Sequence, residues 1–200
     1  MNTSPELKRF QVNWLGRQIG KLYLKVAGWK VENKMPDLKQ TVLIVAHHTS
    51  NWDFSHGLAI SFKLNINPYW IGKHTLFKKP FGGIMRWLGG IPVDRKAAGG
   101  VVEQMVEKFR QYENFILVIT PEGTRQKVER WKDGFYRIAH AANVPISCGF
   151  LDFKRKVGGI GLVLHPTGNI QADLTKIREF YDNVVGKFPE NQGHIYLPGE

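Results

Sequence analysis

The chain has 200 residues, 42% of them apolar, and a formal net charge of +11 at neutral pH, which suits one globular domain with a real core and draws it to something anionic: nucleic acid, a phosphorylated small molecule or an acidic membrane face. A single cysteine, Cys148, excludes an internal disulfide framework and suits a reducing compartment. No apolar run approaches the roughly 18 residues of a membrane-spanning helix and residues 1–4 open no secretory signal, so a cytoplasmic, non-integral protein is expected.

Residues 1–30 place Phe10, Trp14, Leu15, Ile19, Leu22, Tyr23, Val26 and Trp29 at helical spacing, with Lys8, Arg9, Arg17, Lys21 and Lys25 between them. This is an amphipathic helix with a basic face. Two readings are open: a helix lying in the headgroup layer of an anionic membrane, and a helix packed on its own domain. The chain therefore divides into a membrane-surface helix, 1–30, and a domain over 31–200.

The pattern then alternates. Apolar, strand-like runs at 41–46, 68–72, 115–120, 144–150 and 160–165 are separated by helical patterns at 51–63, 76–88, 99–112 and 131–142, with a last helix predicted at 173–187. Such alternation predicts a single α/β domain, a central sheet flanked by helices. The segment 77–90 crowds aromatics and cations between glycines, and reads as a membrane contact, an acyl-chain wall or an ordinary packed helix.

Chemistry concentrates just past the first strand, in His48-Thr49-Ser50-Asn51-Trp52-Asp53. Thr49, Ser50 or Asn51 is suited to cap the following helix. Asp53 then falls in its first turn, where the amide dipoles favour a carboxylate. A tight strand-to-helix turn brings His48 back beside it. A carboxylate on one ring nitrogen fixes the tautomer and leaves the other free to accept a proton from a hydroxyl. A zinc site built from His47, His48 and Asp53 is the rival, weakened because adjacent residues on an extended backbone point to opposite sides. No metal is expected, His47 is read as structural, and Cys148 as a buried core thiol.

Three further clusters lie at strand ends: residues 89–95, a glycine turn into a short extended segment ending on Arg95; Glu122-Gly123-Thr124-Arg125 after the run 115–119; and Val144-Pro145-Ile146 opening the next strand. Glycine lets a backbone approach a ligand, and arginine offers a donor fork matched to phosphate or carboxylate. An anionic substrate is implied.

In this order the four blocks resemble those of the glycerolipid acyltransferase family, typified by lysophosphatidic acid acyltransferase: H-x-x-x-x-D at His48 and Asp53, G-x-x-x-x-D-R over 89–95, E-G-T-R over 122–125 and V-P-I over 144–146. The resemblance implies a role in phospholipid biosynthesis, with a fatty acyl group passed from an acyl thioester to the hydroxyl of a lysophospholipid such as 1-acylglycerol-3-phosphate. It implies that His48 deprotonates the acceptor, Asp53 orients it, Arg95, Thr124 and Arg125 hold the acceptor phosphate, and Glu122 with Gly123 shapes that site. Pro92 departs from the aromatic residue of many relatives, so another lysolipid or alcohol stays open as acceptor. No cofactor is implied beyond acyl-CoA or acyl carrier protein as cosubstrate. The partners are that donor, the lysophospholipid and an anionic membrane surface on the cytoplasmic side, with no nucleic acid; a non-enzymatic basic membrane- or nucleic-acid-binding protein is the competing class.

Overall fold

The computed structural model describes residues 11–34, 36–93 and 100–197. In chain order, α1 spans Trp14–Ala27, β1 Lys30–Asn33, β2 Gln40–Ala46, α2 Trp52–Leu64, β3 Tyr69–Lys73, α3 Gly82–Trp87, β4 Gly90–Val93 and α4 Gly100–Gln111. There follow β5 Phe115–Ile119, α5 Gly134–Ala142, β6 Ile146–Asp152, β7 Val157–Leu164 and α6 Ile170–Tyr181.

The strands join one seven-stranded sheet in the order β1-β7-β6-β2-β5-β3-β4. Every pairing is parallel except β6 with β7. Strand alternation splits β2 between two layers. Val42, Ile44 and Ala46 face a core shared with Met105 and Phe109 of α4, Phe135 and Ile138 of α5 and Ile177 of α6. Leu43 and Val45 turn to the other face, with Leu64 and Ile66 at the end of α2. The chain thus leaves β2 toward one face and β5 toward the other, and β2 and β5 are hydrogen-bonded neighbours. The carboxyl ends of two such strands are the place where open α/β sheets bind ligands.

Helix α1 begins on Asn13, whose side chain accepts from the Gly16 N–H at 2.9 Å. It ends at Gly28, left-handed at φ 73°, where the Trp29 N–H reaches back to the Leu24 carbonyl at 2.8 Å. One narrow face is buried through Gly16, Gly20 and Leu24, and Leu24 and Trp29 pack with Ala59 and Ile60 of α2. The helices approach so closely that a Cβ on Gly20 would lie 2.7 Å from the Ala59 carbonyl oxygen and 2.8 Å from the Phe62 Cβ. The opposite face leaves Trp14, Leu15, Ile19, Leu22 and Val26 exposed. Among the described residues no helix is long and apolar enough to cross a membrane. Gly20→Val is expected to push the helices apart and lower unfolding stability by about 1–3 kcal/mol, read from the midpoint of urea unfolding.

Three expectations need correction. The helix predicted at 76–88 is broken into a 3-10 turn at His74–Phe77 and the short α3. Pro80 lacks the N–H a continuous helix needs there, and Gly82 lies so close under Phe77 that a Cβ would fall 1.9 Å from its carbonyl oxygen. The last helix starts three residues earlier than expected, capped by the Asn169 side chain on the Ala172 N–H, and stops at Tyr181 rather than 187. Strand β1, between α1 and β2, carries no apolar run and has no counterpart in the predicted elements; its four residues are mostly exposed at a sheet edge. Residues 1–10 of the N-terminal pattern, with Lys8, Arg9 and Phe10, lie outside the described residues.

Candidate active site

His48 follows β2 by two residues, and Asp53 is the second residue of α2. The turn between them folds back on the carboxylate. Asp53 Oδ2 accepts from the Thr49 and Ser50 N–H groups, each at 2.9 Å, and lies 3.0 Å from His48 Nδ1. With that carboxylate as partner, Nδ1 carries the hydrogen and Nε2 is left with its lone pair. The Asp53 side chain is 4% exposed and that of His48 24%, so the carboxylate is shielded while the ring opens outward. Ser50, one residue before the N-cap position, accepts from the Trp52 N–H through its Oγ at 3.1 Å. Asn51 makes no cap; its side-chain oxygen accepts from the Arg125 guanidinium instead.

Glu122, three residues beyond the end of the neighbouring strand at Ile119, is buried beneath this turn. Its Oε1 accepts from the His48 N–H at 3.3 Å and lies 3.9 Å from His47 Nδ1. Burial pushes the Glu122 carboxyl up to about 7 and pushes His47 below its ordinary value. Both shifts favour neutral forms, which works against a persistent ion pair between the two side chains. Glu122 Oε2, His47 Nδ1 and Asp53 Oδ1 are buried without a hydrogen-bond partner among the described residues. His47 also packs edge-on against Tyr181, ring centres 6.1 Å apart. The two adjacent histidines are therefore committed in different directions, His48 to Asp53 and His47 toward Glu122 and Tyr181.

Gly123 takes φ 65°, a conformation a side chain would strain, and turns the chain outward from Glu122. Thr124 and Arg125 are exposed. Arg125 reaches the dyad's turn through Asn51, whereas the Thr124 hydroxyl accepts a local bond from the Gln126 N–H at 3.4 Å. Arg95 lies outside the described residues; β4 ends at Val93, on the same edge of the parallel strands as His48. Pro92 is exposed on that edge strand, where its missing N–H breaks no ladder. Cys148 is fully buried on β6, and burial pushes its thiol up to about 12, leaving it inert at neutral pH.

Sequence reasoning overlooked the segment after α6. Lys187 is the last residue of the range predicted as helix and Phe188 follows it, yet both lie against the dyad's turn. The Phe188 N–H donates to Thr49 Oγ1 at 3.2 Å, and Lys187 Nζ stands 4.7 Å from the centre of the Trp52 ring. Gly186 and Pro189 were the breaker signals that would have ended the helix sooner. A cleft of about 500 Å³, bordered by Asn33, Asp37, Lys39, Asn65, Asn67 and Asn114, opens at the amino-terminal edge of β2 and β5, opposite His48. It does not serve the dyad.

Comparison with known proteins bears on the family and the fold. A family model described as acyltransferase matches residues 27–148, a stretch that holds all four sequence blocks. A 1-acyl-sn-glycerol-3-phosphate acyltransferase of Haemophilus influenzae is 31% identical over 145 residues, 68% of this chain and 58% of the relative, so the chain spans little more than half of that protein's length. The crystal structure of the 1-acyl-sn-glycerophosphate acyltransferase PlsC of Thermotoga maritima superposes with a TM-score of 0.53 at 18% identity, covering 83% of this chain and 75% of that one, and shows the same fold. Since the family match takes in more than half of the residues, from the end of α1 into β6, the chain belongs to the acyltransferase family.

Proposed function

We propose that the protein transfers a fatty acyl group from an acyl thioester, acyl-CoA or acyl-acyl carrier protein, to the free hydroxyl of a lysophospholipid, with 1-acylglycerol-3-phosphate as the leading acceptor. The observation that carries this reading is the dyad: a histidine whose Nδ1 is held by a buried carboxylate and whose ring is partly exposed just past the carboxyl end of β2. Nε2 takes the proton of the acceptor hydroxyl as its oxygen attacks the thioester carbonyl. The tetrahedral oxyanion collapses, the C–S bond breaks, and the departing thiolate recovers the proton from the imidazolium. Asp53 holds the ring and stabilises its transient charge. No residue is acylated and no metal or prosthetic group takes part.

Arg125, anchored on Asn51, is suited to the acceptor phosphate, with Arg95 and Thr124 joining it and Gly123 and Glu122 shaping the loop. Arg125→Ala is expected to raise KM for a phosphorylated acceptor about tenfold with little change in kcat, since a lost charge-assisted bond outside the reacting atoms weakens binding uniformly. Steady-state kinetics with the acceptor varied checks it.

In this reading the acceptor is a membrane lipid met from the cytoplasmic side, and two exposed surfaces support it. The exposed apolar stripe of α1 alternates with Arg17, Lys21 and Lys25, so α1 acts as a membrane-surface helix at the front of the acyltransferase domain. Near α3, Leu76, Phe81, Ile84 and Trp87 are exposed beside Lys73, Lys78 and Lys79, and no acidic residue occurs from 54 to 93. Apolar burial and attraction to anionic headgroups act together on such surfaces. The half-buried Val45, Ile116 and Val118, on the sheet face that carries α2, offer an apolar floor for an acyl chain. Nucleic acid has no place in this reading.

The test is a matrix of donors and acceptors with purified protein in mixed micelles: acyl-CoA and acyl-acyl carrier protein against lysophosphatidate, lysophosphatidylglycerol and lysophosphatidylethanolamine. Diacyl product from lysophosphatidate supports the reading. Product from another lysolipid alone keeps the chemistry and changes the acceptor, and silence across the matrix removes the acyltransferase reading.

A further inference from the structure

The segment after α6 delivers to the site a cation that belongs to none of the four sequence blocks. It is clamped along its length. The Phe153 N–H donates to the Val185 carbonyl at 2.8 Å, the Gly186 N–H to Gln192 Oε1 at 3.0 Å, Gln192 Nε2 to the Val184 carbonyl at 3.2 Å, and the Phe188 N–H to Thr49 Oγ1 at 3.2 Å. Gly186 presses on Thr49 so tightly that a Cβ there would stand 2.9 Å from its Oγ1 and 3.1 Å from its Cγ2. Lys187 is thus pinned on both sides to the turn that carries His48. Its ammonium lies 4.7 Å from the centre of the Trp52 ring and 6.0 Å from that of Phe153.

Trp52 adjoins Asn51, the residue that takes the Arg125 guanidinium. One cation from the loop after β5 and one from the segment after α6 therefore contact consecutive residues just ahead of Asp53. Among the described residues neither forms an ion pair with an Asp or Glu. Neither the amide oxygen of Asn51 nor an exposed aromatic face supplies a full counter-charge. A bound anion would complete the arrangement.

We infer that Lys187 joins Arg125 in binding a phosphate group of a substrate, making it a specificity-determining residue of the site. This rests on the acyl-transfer reading above. Arg125 supplies a planar fork and Lys187 a point charge, a combination suited to a phosphate whose charge exceeds what one guanidinium neutralises. The phosphate belongs either to the lysophospholipid acceptor or to the coenzyme A of the donor.

The test uses the full chain with Lys187→Met, which keeps the stem that lies on Trp52 and removes the charge, and Lys187→Arg, which keeps the charge. The Met variant is expected to raise KM for one substrate about tenfold while kcat stays within about twofold, with most of the loss restored by Arg. A raised KM for lysophosphatidate assigns the phosphate to the acceptor, and a raised KM for acyl-CoA assigns it to the donor. Unchanged KM values for both would overturn the inference, as would a loss of kcat with a lowered melting temperature, the mark of a purely structural clasp. Calorimetric titration with coenzyme A and with a short-chain lysophosphatidate separates this from failure of the acyl-transfer reading. If no transfer is detected, weaker binding of either compound by Lys187→Met still supports the inference, whereas equal affinities, or no binding to the wild type, overturn it.

Discussion

Replacing His48 by alanine is expected to lower the acyl-transfer rate constant about a hundredfold to ten-thousandfold, the range for a positioned general base. This corresponds to roughly 3–5 kcal/mol of barrier. The size follows from the geometry. His48 keeps the Nε2 lone pair on a partly exposed ring, and three donors, its own Nδ1 and the Thr49 and Ser50 N–H groups, fix the carboxylate that holds the ring. The neighbouring imidazole cannot substitute, because His47 is buried and turned toward Glu122 and Tyr181. The loss should fall on kcat, and the variant should fold, since the ring is partly exposed and Asp53 keeps its two backbone donors. Turnover at saturating substrates, with the melting temperature as a control, checks it. A folded variant turning over at nearly the wild-type rate would remove His48 from the mechanism.

The second large effect is on stability and its pH dependence, through Glu122. Its carboxyl titrates at about 7 in the folded chain because burial penalises the charged form, against about 4.3 in an unfolded chain. The folded state therefore holds the proton more tightly, and Glu122 makes the protein progressively less stable as pH rises from about 4 to about 7, by up to about 3 kcal/mol. Glu122→Gln removes this slope. The Gln variant should match the wild type near pH 4 and exceed it in stability by up to about 3 kcal/mol at pH 8. His47, pushed down by burial, works the other way: it is destabilising only as pH falls below about 6.5, and it is present in both proteins. The difference between the two urea-unfolding curves at pH 5 and pH 8 thus isolates Glu122. Equal stability at both pH values would mean that the carboxyl is not perturbed. A costly buried acid placed on the His48 N–H fits a site retained for function at the expense of stability.

The sheet was legible where strands are buried on both faces. The runs at 41–46 and 115–119 are continuously apolar and became central neighbours in β2 and β5. Edge strands were harder, because β1, with Lys30, Glu32 and Asn33, has neither an apolar run nor an alternating one. Helix ends failed where local backbone chemistry overrode periodicity, at Pro80 and beyond Tyr181. In the candidate site the His48–Asp53 contact could be foreseen, since five residues of a strand-to-helix turn leave the chain little choice. The Glu122 hydrogen bond to the His48 N–H followed only from the side-by-side pairing of β2 and β5, which local spacing does not encode. The Arg125 link to Asn51 and the approach of Lys187 to Trp52 depend on loops meeting across the sheet's carboxyl edge, and no periodic signal records such meetings.

The most direct test of the account is the initial rate of acyl transfer to lysophosphatidate and to monoacylglycerol, its counterpart without the phosphate, measured side by side with wild-type protein and His48→Ala. The account predicts rapid product from lysophosphatidate, a much lower rate with monoacylglycerol, and loss of both in the variant. Equal rates on the two acceptors would contradict the phosphate-binding role of Arg125 and its neighbours, and undiminished product with His48→Ala would contradict the dyad itself.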